Sequence, residues 1–127
     1  MTRQQRDLTA ALENVSQLVG DDKETRRIYG GLCHSFPILI RTNGLCQTLA
    51  FVHEKKSGSD NRARAYQRLW AHVAATIGQS EETLLNHVRS VPTTRYLHDT
   101  RRLLDAWVYY KRFAAAILGV KPGEGEE

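Results

Sequence analysis

Apolar positions recur with helical spacing along the whole chain. Leu8, Ala11, Leu12, Val15, Leu18 and Val19 share one narrow face of a helix over about residues 3–19. Gly20 is placed to stop it, and Asp21 or Asp22 to cap the next. Ile28, Leu32, Phe36 and Leu39 form a second stripe that keeps its phase across Pro37. This favours one kinked helix running to about Arg41, although a proline also suits the start of a new segment. Asn43-Gly44 supplies a helix stop, and a third helix over about 45–56 turns Leu45, Leu49 and Val52 inward. After the loop Lys55–Asn61, a fourth helix (about 61–77) buries Ala65, Leu69, Val73 and Ile77, with Tyr66 and Trp70 at its edge. A short helix begins near Ser80 and ends before Pro92. The last, about Thr94 to Leu118, has an apolar arc covering half its circumference, as for a helix central to a bundle. The pattern predicts an all-α, compact helical bundle of about five to six helices with a long C-terminal helix.

At 127 residues the chain forms one domain, expected over 1–121, followed at 122–127 by a Pro-Gly-Glu tail expected to be disordered. No apolar run is long enough for a membrane span, and the first residues lack a secretory signal, so the default is a cytoplasmic protein with no membrane partner. Charge changes the picture more. The formal net charge is +4; without the three glutamates of the tail it is +7, from eighteen basic and eleven acidic residues. A positive surface of this kind attracts polyanions.

Catalytic constellations are missing. The five histidines include no pair three or four residues apart, so most read as surface or boundary residues, and no metal or other cofactor is expected. Cys33 and Cys46 read as small core residues. Gly30-Gly31 lies within a helical stripe, lacks the spacing of a phosphate-binding loop, and suits the close approach of another helix. The chain reads as a binding protein rather than an enzyme.

The basic residues are the candidates for binding. Arg64, Arg68 and His72 recur every four residues on the polar face of the fourth helix, either as a solvated face or as a phosphate contact. Arg101 and Arg112 share one face of the last helix, with Asp105 between them able to bridge. Lys111 falls by phase into the apolar arc, where it either snorkels to water or meets a partner's phosphate in a groove. Arg41 either caps helix carbonyls or projects beside the Asn43-Gly44 turn toward a nucleic acid. Gln47 and Phe51 point away from the buried face of the third helix, which suits a protein interface.

Two segments carry a family resemblance. Phe36-Pro37-Ile38-Leu39-Ile40-Arg41 leads into Gly44-Leu45-Cys46-Gln47-Thr48-Leu49-Ala50-Phe51. Later, Tyr96-Leu97-His98-Asp99-Thr100-Arg101 opens a helix that closes on Tyr110-Lys111-Arg112-Phe113-Ala114. Together they cover about a third of the chain, and they resemble the small helical subunit of the Cmr complex, the type III-B CRISPR RNA-guided effector. The resemblance implies a subunit without nuclease activity. Copies of it would stack along the effector, touching one another and other Cmr subunits. Their basic faces would follow the guide RNA and target RNA duplex, holding phosphates without reading sequence. Arg41, Lys111, Arg112 and Arg101 are the first candidates on this reading; Arg64 and Arg68 rest on charge pattern alone. The alternative is a helical protein-interaction module that binds no nucleic acid.

Overall fold

Thr2 opens the first helix. Its hydroxyl accepts the Gln5 N–H at 3.1 Å while Gln5 Oε1 accepts the Thr2 N–H at 2.7 Å, a reciprocal cap that satisfies two otherwise free donors. Helix α1 (Arg3–Gln17) then runs into one 3₁₀ turn at Leu18–Gly20. The computed structural model describes residues 1–125, so Glu126 and Glu127 of the expected tail lie outside the described residues. The remaining elements are α2 (Lys23–Asn43), α3 (Leu45–Lys55), α4 (Asn61–Thr76), α5 (Leu84–Ser90) and α6 (Thr93–Ala116). The architecture is the expected all-α bundle, six helices with the longest last, and the described residues contain no strand.

Helix α2 lies between α4 and α6; α1 packs on α6, and α3 joins α2 to α4 and α5. It passes through Pro37 without a break, giving up one backbone donor there while its buried positions hold their phase. At Gly44 the backbone takes φ +86°, a conformation that strains any residue with a Cβ, and α3 starts at the next residue. The Gly44 N–H closes α2 on the Ile40 carbonyl at 2.8 Å.

A run of rings forms the centre. Phe36 of α2 meets Trp107 of α6 (centroids 4.9 Å apart), Trp107 stacks on Tyr110 (4.1 Å), Tyr110 on His72 of α4 (5.9 Å), and His72 stands edge-on to Tyr29 of α2 (5.4 Å). His72 is therefore interior and hydrogen-bonded to the Tyr29 hydroxyl at 2.6 Å, not part of a polar face with Arg64 and Arg68. Tyr66 and Trp70 are buried as well rather than marginal. Both corrections share a cause: α4 packs against α2, α3 and α6, so its buried arc is broader than a single stripe. The turn before α5 covers Trp70, whose indole N–H donates to the Glu81 carbonyl at 2.9 Å.

Other expectations shift in the same way. The apolar face of α1 divides: Ala11, Val15 and Leu18 are buried, whereas Leu8, Leu12 and Val19 are exposed. Cys33 is in the core, but Cys46 is exposed, with its Sγ 3.8 Å from the Val88 carbonyl. His34 is interior and donates from Nε2 to the Val120 carbonyl at 2.8 Å. Gly30-Gly31 admits no helix. Its partner is the chain's own C-terminal segment: a Cβ on Gly30 would fall 2.6 Å from Val120 Cβ, and one on Gly31 would overlap the Glu124 carbonyl oxygen. This segment crosses α2 as a strap, and Gly125 at its end is buried on the Arg27 carbonyl.

Two interior carboxylates hold the last helix to its neighbours. Asp7 of α1 accepts two bonds from Arg102 (2.7 and 2.9 Å), and Asp99 accepts from His87 of α5 (2.8 Å) and from Arg95 (3.0 Å).

Candidate nucleic-acid interface

Only the inner arc of α6 enters the core, through Asp99, Leu103, Ala106, Trp107, Tyr110 and Ala114. Tyr96, Leu104, Tyr109 and Phe113 pack half-buried against it, whereas Leu97 and Val108 face outward, 61% and 48% exposed. Arg101, Lys111 and Arg112 are exposed on this same outer side. Arg101 and Arg112 are eleven residues apart, close to three full turns, so they project alike about 16 Å apart along the axis. Lys111 is displaced from them by roughly a quarter turn, toward half-buried Leu104 and Leu118, and is exposed at the edge of the apolar arc, as a snorkelling lysine is. Asp105 does not bridge the two arginines; it is paired with Arg3 of α1 at 2.8 Å.

Arg41 is exposed in the last turn of α2. The Phe36–Trp107 contact, with Gly44 beside Tyr96 and His34 on Val120, shows that α2 and α6 run antiparallel. The C-terminal end of α2 therefore lies against the N-terminal end of α6, on which Arg101 stands. Just past the end of α2, the first turn of α3 is tied to α6 by Tyr96, whose hydroxyl accepts the Cys46 N–H at 3.0 Å. Sequence reasoning used Tyr96 only as a family mark. Its helical phase with Leu103 and Trp107 was the available signal, since an inward tyrosine needs a partner for its hydroxyl.

The structure separates Arg64 and Arg68 from this group. They lie on α4, which meets α6 through Tyr110, half a turn of helix away from Arg101 and Arg112. Arg68 is also engaged: Asp21, read as a helix cap, accepts from its Nε and Nη2 at 3.1 and 3.2 Å. A phosphate at Arg68 would have to displace that carboxylate. Gln47 is exposed on α3; Phe51 is 39% exposed, edge-on to Tyr66 (6.0 Å), with Lys55 Nζ 5.5 Å above its ring. Phe51 and Tyr66 line a recess of about 230 Å³ with Leu32, Leu39, Arg62 and the end of the strap.

The distribution of ion pairs decides which cations are available. Arg3, Arg27, Arg68, Arg95 and Arg102 each have a carboxylate partner. The five candidates Arg41, Arg64, Arg101, Lys111 and Arg112 have none among the described residues; Arg6, Arg26 and Arg89, bonded to backbone or amide oxygens, and the other lysines also lack one. An anion reaching these five displaces water rather than a carboxylate, which favours a charge-assisted bond.

The buried titratable groups suit a core, not a reaction. Burial raises the Cys33 thiol to about 12 and the Tyr110 phenol to about 12, pushes Tyr29 well above its ordinary value, and lowers His72 to about 4. No cluster of three or more His, Cys, Asp or Glu able to hold a metal occurs among the described residues. No helix of the described residues is long and apolar enough to cross a membrane.

These features define a small helical bundle with exposed cations on the outer side of α6 and at the end of α2. Known proteins make the assignment specific. The family model for "CRISPR-associated protein (Cas_Cmr5)" matches residues 3–117. A Thermus thermophilus protein, "CRISPR system Cmr subunit Cmr5", is 33% identical over 97 residues, 75% of this chain and 79% of the relative. The crystal structure of a CRISPR-associated Cmr5 family protein, also from Thermus thermophilus, superposes with a TM-score of 0.78 at 30% identity, covering 92% of this chain and 97% of that one. The chain belongs to the Cmr5 family of CRISPR-associated proteins.

Proposed function

We propose that this chain is a small subunit of a type III-B effector in the cytoplasm, where copies stack beside the other Cmr subunits. The outer face of α6 and the end of α2 hold the phosphate backbone of the guide RNA–target RNA duplex. The observation that carries this reading is the group Arg41, Arg101, Lys111 and Arg112, exposed and without a carboxylate partner among the described residues, while neighbouring arginines are paired. Such contacts add affinity and position the duplex but carry little base information. Arg64 offers a separate contact on α4, and Arg68 a weaker one because Asp21 already holds it.

The test is the affinity of the reconstituted complex for guide-paired target RNA across a salt series, with wild type and with Arg41, Arg101, Lys111 and Arg112 each changed to alanine. Each phosphate contact removed should weaken binding and lower the salt slope by about one. Unchanged affinity and slope at full subunit occupancy would reject the reading. Leu97 and Val108, exposed on the same side of α6 as Arg101 and Arg112, favour the second reading, a protein interface at this face. In that case the variants lower occupancy in the complex instead of RNA affinity.

A further inference from the structure

Helix α3 begins with a defect. Its N-cap is Gly44, which has no side chain to accept the free N–H groups of the first turn. A capping side chain normally takes the N–H of the second or third helical residue. Here the second residue is Cys46, and its N–H goes to Tyr96, fifty residues further along the chain. A Cβ on Gly44 would lie 3.8 Å from that hydroxyl, so the turn sits directly on it. Tyr96 itself packs against the core cluster, which holds the hydroxyl in place.

We propose that Tyr96 is a positioning residue: by capping α3 from α6 it fixes the Asn43-Gly44 turn, and with it Arg41, relative to Arg101, so that two helices present one phosphate-binding site. This inference rests on the RNA-binding reading above. Arg41 stands three residues before Gly44, and Arg101 about 7.5 Å along the α6 axis from Tyr96. Both are exposed and lack a carboxylate partner among the described residues. The cap ties the start of α3, two residues after the Gly44 turn that closes the Arg41-bearing α2, to α6, which carries Arg101. It also links the two family segments, Gly44–Phe51 and Tyr96–Arg101, physically.

Tyr96→Phe keeps the packed ring and removes only the hydroxyl, and with it the acceptor for the Cys46 N–H. The test measures affinity for guide-paired target RNA in the reconstituted complex for Y96F, R41A, R101A and R112A, and for Y96F combined with R41A or R112A. Y96F should weaken binding about fivefold, the worth of one such hydrogen bond. The Y96F/R41A double variant should bind no more than twofold weaker than R41A alone, because an arginine already removed cannot be misplaced. Y96F and R112A should multiply, since Arg112 lies more than two turns away. Multiplicative effects of Y96F and R41A, with the arginine variants impaired, would overturn the assignment of Tyr96 alone. Arginine variants that bind as wild type would overturn the RNA-binding reading and the inference together.

Discussion

Protonating His72 means placing a charge among Tyr29, Tyr110 and the α4 backbone, with Arg68 one turn away. Burial, then the Arg68 charge, lowers its pKa to about 4. The unfolded chain therefore takes up the proton first, near pH 6.5. The stability that depends on a neutral His72 is fully present above pH 6.5 and is lost as pH falls toward 4, by about 3 kcal/mol in all. Urea denaturation at steps from pH 7.5 to 4 should show this decline. His72→Gln, which keeps a hydrogen-bonding group for Tyr29, should flatten it, and an equal slope in both proteins would reject the account. The position was misread because its four-residue spacing from Arg64 and Arg68 imitates a polar face. Nothing local reveals that Tyr29, forty-three residues earlier, supplies a buried partner.

Element by element, the helices and their order were legible because each has an apolar stripe with a glycine, proline or aspartate at its ends. The sides on which those stripes meet were not. Leu8, Leu12 and Val19 lie on the apolar face of α1, yet α1 packs chiefly on α6 and buries only part of that face. Gly30-Gly31 was legible as a place of close approach, but the approaching element is the strap from Val120 to Gly125. A methyl group on Gly31 must displace Glu124 backbone, so Gly31→Ala should lift the strap and cost about 1–3 kcal/mol, the usual range for overpacking. Faster hydrogen exchange at the Val120 amide, which bonds the Ala114 carbonyl, would report the release. Unchanged exchange and stability would show that the backbone absorbs the methyl group.

Across the molecule, one ion pair joins the first helix to the last. Arg102 grips Asp7 through both carboxylate oxygens, and both side chains are largely withdrawn from water. Asp7→Ala strands the guanidinium and should cost about 3 kcal/mol, as when one partner of a buried pair is removed. Asp7→Leu with Arg102→Met should recover most of that loss, because neither variant side chain leaves a charge unpaired. Chemical denaturation measures both, and a loss below about 1 kcal/mol for the single variant would mean that water replaces the carboxylate. The same allocation of carboxylates shapes the outer surface. Asp105 and Asp7 turn to α1 and α6 partners, and Asp21 to α4, leaving the outer side of α6 positive.

The order of residues alone determined a helical bundle, its approximate helix limits, the lack of a catalytic motif and a surplus of positive charge. Each of these depends on spacing within one helix or on a sum over the chain. The family segments were readable too, and they pointed to the family whose members this chain matches. Tertiary structure decided which cations remain unpaired, where Lys111 projects, why His72 is buried and how Tyr96 caps α3. Those outcomes depend on partners far apart in sequence, brought together only when the helices pack, and a helix's own periodicity carries no information about which neighbour will cover it.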